Sequence, residues 1–543
     1  MKKLLFILAL SFLALSALTG CVKEDEKEPA VRPESFASLV KAYRDGEVID
    51  EIIPASDKVV VTFLSGKSAE VPDSDFRIYD CRIYGPLEVS LAGDRWTVGR
   101  TVVDVPYTPQ ADASDSWPVY VYFDELTLHI YAGNGEVIDF PSRAAEIARR
   151  QNIPVIRIET EGHAPILDKE NYVSGTITVS DPEGLYSDET ELSAPMRIRG
   201  RGNSTWSFPK KPWKIKLDKK ASILGLPEDK EWCLLANYAD RTLMRNAVAM
   251  RLSEICGFSW TPGMRHVEVY LNGAYQGVYT FSEHKKVSKS RVDIEVAGPD
   301  DIDGGYYLEI EQSQDEAVCW WTSMGVPMMF SDPELPTEAQ QDYVCAFFDD
   351  FEYILHSPDF ADPSKGYAAY IDVDSFINYY IVQELTKNVD GNLRKSSFLT
   401  KERGGKLEMY HVWDFDLTLG NCGFFPYEIG NGPEGFWIRD YNSFSYVGEN
   451  WFSLMMRDPA FVKRLKEKWN SVMPELEKIT DFIDGQALVL EKAAARNWEE
   501  WSIYESVDWV KFPSLGSYEK EVDFLKDFYK KRLQWLDVQI NQM

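Results

Sequence analysis

Up to about residue 311, hydrophobic and polar positions alternate with the period of two that marks half-buried strands. "KVVVTFL" and "DFRIYDCRIYG" are rich in β-branched and aromatic residues and are broken by Gly, Pro and Asp. Residues 33–106 therefore read as short strands, economically a small β-sandwich of immunoglobulin-like type. "YTPQADASDSWP", residues 107–118, has linker composition and marks a domain boundary. "VYVYFDELTLHIY" adds strand, "SRAAEIARRQN" a short helix, and the main body begins near "IPVIRIETEG" at residues 153–162.

The densest patterning runs from Met196 to Glu311. "MRIRGRGNSTW" leads a strand into a glycine turn. "PWKIKL" alternates, with Trp213, Ile215 and Leu217 on one face and Lys214 and Lys216 on the other. "DRTLMRNAVAMRLSEICG" reads as a helix with Asp240 as N-cap and Gly257 as its stop. "HVEVYLNGAYQGVYTF" is a hairpin turning at Asn272-Gly273. The period then changes to three and four. "TEAQQDYVCAFFDDFEYILHS" and "DVDSFINYYIVQELTKN" are helices, the second with a stripe of Phe376, Ile377, Tyr380, Ile381 and Leu385. The loop "NVDGNLRKS", the hairpin "SFLTKERGGKLEMYHVW" and amphipathic helices beyond residue 450 complete an α+β chain with no internal repeat.

The N-terminus lies outside both patterns. Lys2 and Lys3 precede an apolar run from Leu4 to Leu18, which is short against the roughly 20 residues of a membrane span and reads as a secretory signal. "LTGC" resembles the lipobox of bacterial lipoproteins, with residues 1–20 removed and Cys21 acylated. The charged stretch 21–32 is a tether, and its acidic run resembles the surface-export signal of Bacteroidetes lipoproteins. The localisation expected is lipid attachment to the outer membrane with a surface-exposed body, the periplasmic face being the alternative.

Composition narrows the chemistry. In 543 residues, 44% hydrophobic and 13% aromatic, there is material for two or three cores. A net charge of −29 argues against a nucleic-acid surface and leaves the lipid as the only membrane contact. The cysteines after Cys21 are scattered without a CxxC pair, so a disulfide framework or zinc site is not expected, while one or two disulfides remain open. The 6 histidines form no HExxH. G-x-S-x-G and phosphate-loop motifs are absent. Dispersed tryptophans read as core packing.

Against that background "MYHVWDFDLTLGN" stands out, with Asp414 and Asp416 on one face if the chain stays extended. Like charges so placed either call for a cation or mark a solvated turn, where Asp is common. A glycine turn, a strand lysine, a loop aspartate at Asp390 and a second aspartate after a hairpin are the inventory of phosphoryl transfer from a nucleotide.

"RIRGRGNSTW…PKKPWKIKL", "EWCLLANYADRTLMRNAVA", "VEVYLNGAYQGVYTFSEHKK", "DGGYYLEIE", "NVDGN" and "WDFDLTLGN" together resemble the CotH family of atypical, kinase-like proteins, over residues 153 to 425. The resemblance implies a divergent two-lobed protein-kinase-like fold over residues 119–543, after the immunoglobulin-like module. It implies ATP with Mg²⁺ or Mn²⁺, and Ser/Thr phosphorylation of a secreted or surface protein. Carried over by position, Asp390 resembles the catalytic-loop aspartate and Asp414 the metal-binding one, with Asp416 supporting it. Either Lys214 or Lys216 resembles the phosphate lysine. Gly200 and Gly202 form a phosphate turn or simply a tight one. Glu283 follows the hairpin where a hinge would meet adenine, unless it is merely an exposed charge. Arg245 pairs either with a cleft acid or structurally, and Glu309 and Glu311 read as structural. One departure stands out: where an Asn should follow the loop aspartate, the chain reads "RKSSFL", leaving Asn392 as a substitute metal ligand. A non-catalytic surface binding protein on a kinase-like scaffold is the alternative function.

Overall fold

A computed structural model of the chain describes residues 37–55, 57–72, 153–188, 191–422, 432–440, 449–504 and 514–543, and short strands between 77 and 141. The expected signal, Cys21, the tether, the linker up to residue 117 and the "SRAAEIARRQN" helix lie outside the described residues. Two compact units divide the chain, Met1–Arg150 and Gln151–Met543.

In the first unit, helix α1 (Ala37–Arg44) precedes an antiparallel meander of β1 (Ile49–Pro54), β2 (Lys58–Phe63) and β3 (Ser68–Pro72). Strict alternation on β2 and β3 buries Val59, Val61, Ala69 and Val71. After β4 (Arg77–Ile78), a second meander joins β5 (Val89–Ala92), β6 (Arg95–Val98) and β7 (Thr101–Val103). A third sheet has the order β10-β9-β8-β4, from β8 (Pro118–Phe123), β9 (Thr127–Ala132) and β10 (Val137–Pro141). Leu128, Ile130, Ile138 and Phe140 of β9 and β10 share one core with Leu39 of α1 and Val61 of β2. These strands follow the expected boundary at 107–118, yet their apolar face is buried here. The first unit runs to Arg150. The described residues of this unit form three small sheets and one helix.

The second unit begins with a closed seven-stranded barrel. Its strands are β11 (Val155–Thr160), β12 (Val173–Ser180), β13 (Glu191–Gly200), β14 (Trp213–Ile223), β15 (Leu226–Leu235), β16 (Met264–Leu271) and β17 (Ala274–Glu283). Their order is β11-β12-β13-β14-β15-β17-β16, closed by a parallel pairing of β11 with β16. Alternation sends Trp213, Ile215 and Leu217 into the barrel with Trp232 and Phe281, which stack at 5.1 Å. Lys214 and Lys216 are thereby left on the outer face. Asn272 and Gly273 both take positive φ, as a two-residue hairpin demands, and Asn272 Oδ1 also accepts the Thr160 N–H at 2.8 Å.

Helix α2 (Arg245–Cys256) starts later than expected. Asp240 is not its cap, because its buried carboxylate accepts the N–H groups of Thr242 and Arg245 and the Arg245 guanidinium, closing a separate turn first. Gly257 ends the helix with φ of 78°.

A second sheet, ordered β19-β20-β18-β21-β22, is built from β18 (Tyr306–Ile310), β19 (Cys319–Trp321), β20 (Pro327–Asp332), β21 (Ser397–Lys401) and β22 (Leu407–Val412). Around it lie α3 (Glu338–His356), α4 (Val373–Thr386), α5 (Trp451–Met455), α6 (Pro459–Leu476), α7 (Ile479–Trp501) and α8 (Tyr518–Gln542). Helix α4 is buried on nearly every side, more than its stripe indicated, because α2, α6 and α8 all pack on it. Glu384 of α4 and Arg532 of α8 form a fully buried pair at 2.6 Å. The carboxylate also takes the N–H groups of Trp437 and Ile438.

Candidate active site

The outer face of the barrel meets the second sheet through a small aromatic cluster. Leu235 and Met264 from the barrel pack there on Tyr307, Phe398, Tyr410 and Trp413. Several of the expected residues lie near this contact.

On the barrel side, the Lys214 ammonium lies 2.8 Å from Glu231 and 2.8 Å from His284 Nε2, while Lys216 reaches the other oxygen of Glu231 at 3.1 Å. Glu231 sits on β15 directly across the ladder from Lys216. Burial alone would raise its carboxyl, but the two ammonium groups override this and hold it at about 2. Burial, with Lys214 and Arg201 nearby, holds the His284 imidazole neutral. Its Nε2 accepts from Lys214, so Nδ1 carries the proton and faces Cys233 Sγ at 3.4 Å. Lys214 is thus held by two partners, Glu231 and His284.

The glycine turn supports the cleft without forming a phosphate cradle of its own. Gly200 donates to Asp168 O, and a Cβ there would lie 2.6 Å from the Trp206 ring. Gly202 has φ of 83°, and a Cβ would meet Thr205 Oγ1. Arg201 between them went unnoticed in the sequence. Its guanidinium lies over the Trp413 ring at 5.7 Å and makes no hydrogen bond or ion pair among the described residues. It is near enough to lower both the Asp414 carboxyl and the His284 imidazole, which places it between the lysine cluster and the aspartates.

On the opposite side, Asp390 occupies the loop after α4 and is held by Arg394 at 2.9 Å. Asp414 follows β22. Burial and then the Asp390 charge push its carboxyl upward, against Arg201 and Lys395. The side chain is nonetheless accessible to solvent and has no hydrogen bond or ion pair among the described residues. Asp416 is half-buried, and burial and then Asp414 raise it well above the usual carboxylate range.

The extended-chain picture of these two aspartates fails. Strand β22 ends at Val412, and Asp414 takes a left-handed φ of 68°. A turn then carries Asp416 behind Asp414. That turn is fastened to α2 by Phe415 N–H to Asn246 Oδ1 at 2.7 Å and by Arg245 Nε to Thr418 O at 3.0 Å. Arg245 is therefore a brace paired with Asp240, not a partner of a cleft acid.

Two expected residues are not brought to the cleft. Glu283 is buried; its carboxylate accepts the Gly263 N–H at 2.8 Å and faces Arg291 at 3.4 Å. Its backbone N–H is spent on Gly263 O. Asn392 is buried with its amide toward Trp437 O and its oxygen toward Asn450. Glu311, expected as structural, instead faces the aspartates and takes Lys395 at 3.6 Å. Glu309 pairs with Lys285, and burial pushes it up to about 7.

Among the described residues no three His, Cys, Asp or Glu side chains stand together as a ready-made cation site. Mg²⁺ is commonly held by one or two carboxylates together with substrate phosphates, so Asp414, open and unpartnered beside Asp390, fits that requirement. Among the described residues, Cys233, Cys256, Cys319 and Cys345 are free thiols.

A comparison with curated proteins finds no match. The family model for the CotH kinase protein, however, matches residues 198–536 and so takes in the barrel strands from β13, the cleft and the helical end as well. On that span, the chain belongs to the CotH kinase family.

Proposed function

We propose that this protein is an ATP-dependent protein kinase acting outside the cytoplasm on Ser or Thr of a secreted or surface protein. In this reading the barrel and the helical part are the two lobes of a kinase-like fold, and the first unit is a β-rich spacer, immunoglobulin-like in role. The supporting observation is the unpartnered Asp414 beside Asp390, across a cleft from Lys214 and Arg201. Bound ATP with Mg²⁺ or Mn²⁺ supplies the phosphoryl group and the cation that screens its charge. Asp414 holds the cation, with Asp416 behind it limiting its freedom. Lys214, oriented by Glu231 and His284, and Arg201, resting on Trp413, face the phosphates. Asp390, oriented by Arg394, takes the hydrogen bond of the acceptor hydroxyl and receives its proton.

Thermal melting of the mature body with ATP and either metal tests this. A ligand at one hundred times Kd stabilises by about 2.7 kcal/mol, a readily measured shift. No shift at millimolar ATP refutes the reading. Attachment through Cys21 is tested separately: wild type should partition into detergent and Cys21→Ala should not. No described helix is long and apolar enough to cross a membrane.

The second reading, a non-catalytic surface binding protein, is favoured by Lys214 being already neutralised by Glu231 and by the burial of Asn392. Nucleotide binding separates the two.

A further inference from the structure

The residues flanking Asp390 determine how many cations the two aspartates can share. Protein kinases hold a second divalent ion with an asparagine that follows the loop aspartate. Here Asn392 is turned into the core, and Ser396, at a left-handed φ of 49°, carries only a hydroxyl. Lys395 lies between them in sequence. Its backbone N–H is 3.1 Å from Asp390 O, and its ammonium is 3.6 Å from Glu311 Oε1. The Ser313 N–H holds that same Glu311 oxygen at 2.9 Å. Glu311 and Lys395 both act electrostatically on Asp390 and Asp414, so one ammonium serves three carboxylates.

Building on the kinase reading above, we infer that Lys395 occupies the place of the second divalent cation, and that the site takes one metal ion per nucleotide. A protonated lysine has no lone pair to offer a metal, and its fixed charge repels a dication placed beside it. Asp414 is then the protein ligand of the single ion, and Lys395 is a built-in counter-charge that needs no metal from the surroundings.

Mn²⁺ titration followed by electron paramagnetic resonance, with a non-hydrolysable ATP analogue, tests this without turnover. Wild type should bind one Mn²⁺ per nucleotide. Lys395→Asn, which exchanges the ammonium for a carboxamide ligand, should bind two. Lys395→Met, which removes the charge and adds no ligand, should stay at one with nucleotide binding weakened several-fold. Two Mn²⁺ in wild type overturns this inference alone. One Mn²⁺ in a Lys395→Asn protein with a normal melting curve does the same. Should Lys395→Asn not fold, the counts for wild type and Lys395→Met decide. Absence of any Mn²⁺–nucleotide complex overturns both this inference and the kinase reading.

Discussion

Asn246 holds Phe415: the side-chain oxygen of the first accepts the backbone N–H of the second at 2.7 Å, deep in the protein. Phe415 is the residue between the two aspartates of the cleft. The start of α2 therefore sets where Asp414 and Asp416 point, and a left-handed Asp414 is kept in place by neighbours that over-determine it.

Asp414 and Asp390 should fail differently. Asp414→Asn should abolish metal-dependent ATP binding, because in the proposed kinase reading the open carboxylate would be the ligand. Asp390→Asn should bind ATP nearly as wild type while phosphate transfer falls by a factor on the order of 10². Asp416→Asn should give a weaker form of the Asp414 defect. If both Asp390→Asn and Asp414→Asn bind and transfer normally, the site lies elsewhere.

The Arg201 guanidinium has no hydrogen bond or ion pair to lose among the described residues, so Arg201→Ala should melt within about 0.5 kcal/mol of wild type. Its nucleotide affinity should drop about tenfold, the scale of one charge-assisted hydrogen bond. Calorimetry reads the affinity, and equal affinity removes Arg201 from the phosphate site.

Glu309 predicts a pH dependence. Burial raises its carboxyl from 4.5 to about 7 despite Lys285. The fold thus prefers the neutral acid. The stability that this lends is complete below about pH 4.5 and is lost as pH rises through 7. Glu309→Gln should therefore have a flatter melting profile than wild type between pH 4.5 and 7. Parallel profiles would show that the group titrates normally.

Arg532→Met should cost about 3–5 kcal/mol, because it strands the Glu384 carboxylate in the core. The N–H groups of Trp437 and Ile438 still bind that carboxylate, which places the loss toward the lower end. Adding Glu384→Gln should recover part of it in urea unfolding. A double variant no more stable than the single one would show that the carbonyl contacts of Arg532 with Pro433 and Gly435 dominate instead.

Locally determined features were legible in the sequence. The Asn272-Gly273 turn needs only two residues that accept positive φ, and the alternation of "PWKIKL" follows from strand geometry alone. Features that depend on distant partners were not. Asp240 is the exception, since Thr242 and Arg245, its own neighbours in sequence, consume its carboxylate before the helix begins. Leu128 and Phe140 join the first unit only because α1 and β2 offer them a core. Lys214 could be picked out as a cleft residue, but Glu231 and His284, which fix it, are chosen by barrel register. Arg201 needed Trp413 to become visible, and Asn392 needed Trp437 and Asn450 to be removed from the cleft.

The closure of the barrel has a practical consequence for anyone cutting the gene. The family match starts at Ile198, inside β13, whereas β11 at Val155–Thr160 is the strand that seals the ring against β16. A fragment trimmed to the matched span would lack β11, β12 and most of β13, baring the unpaired flanks of β14 and β16. Unprotected flanks of this kind recruit strands from other molecules. Expression of the second unit should therefore begin upstream of Ile153, and a fragment starting at Ile198 should be recovered as aggregate.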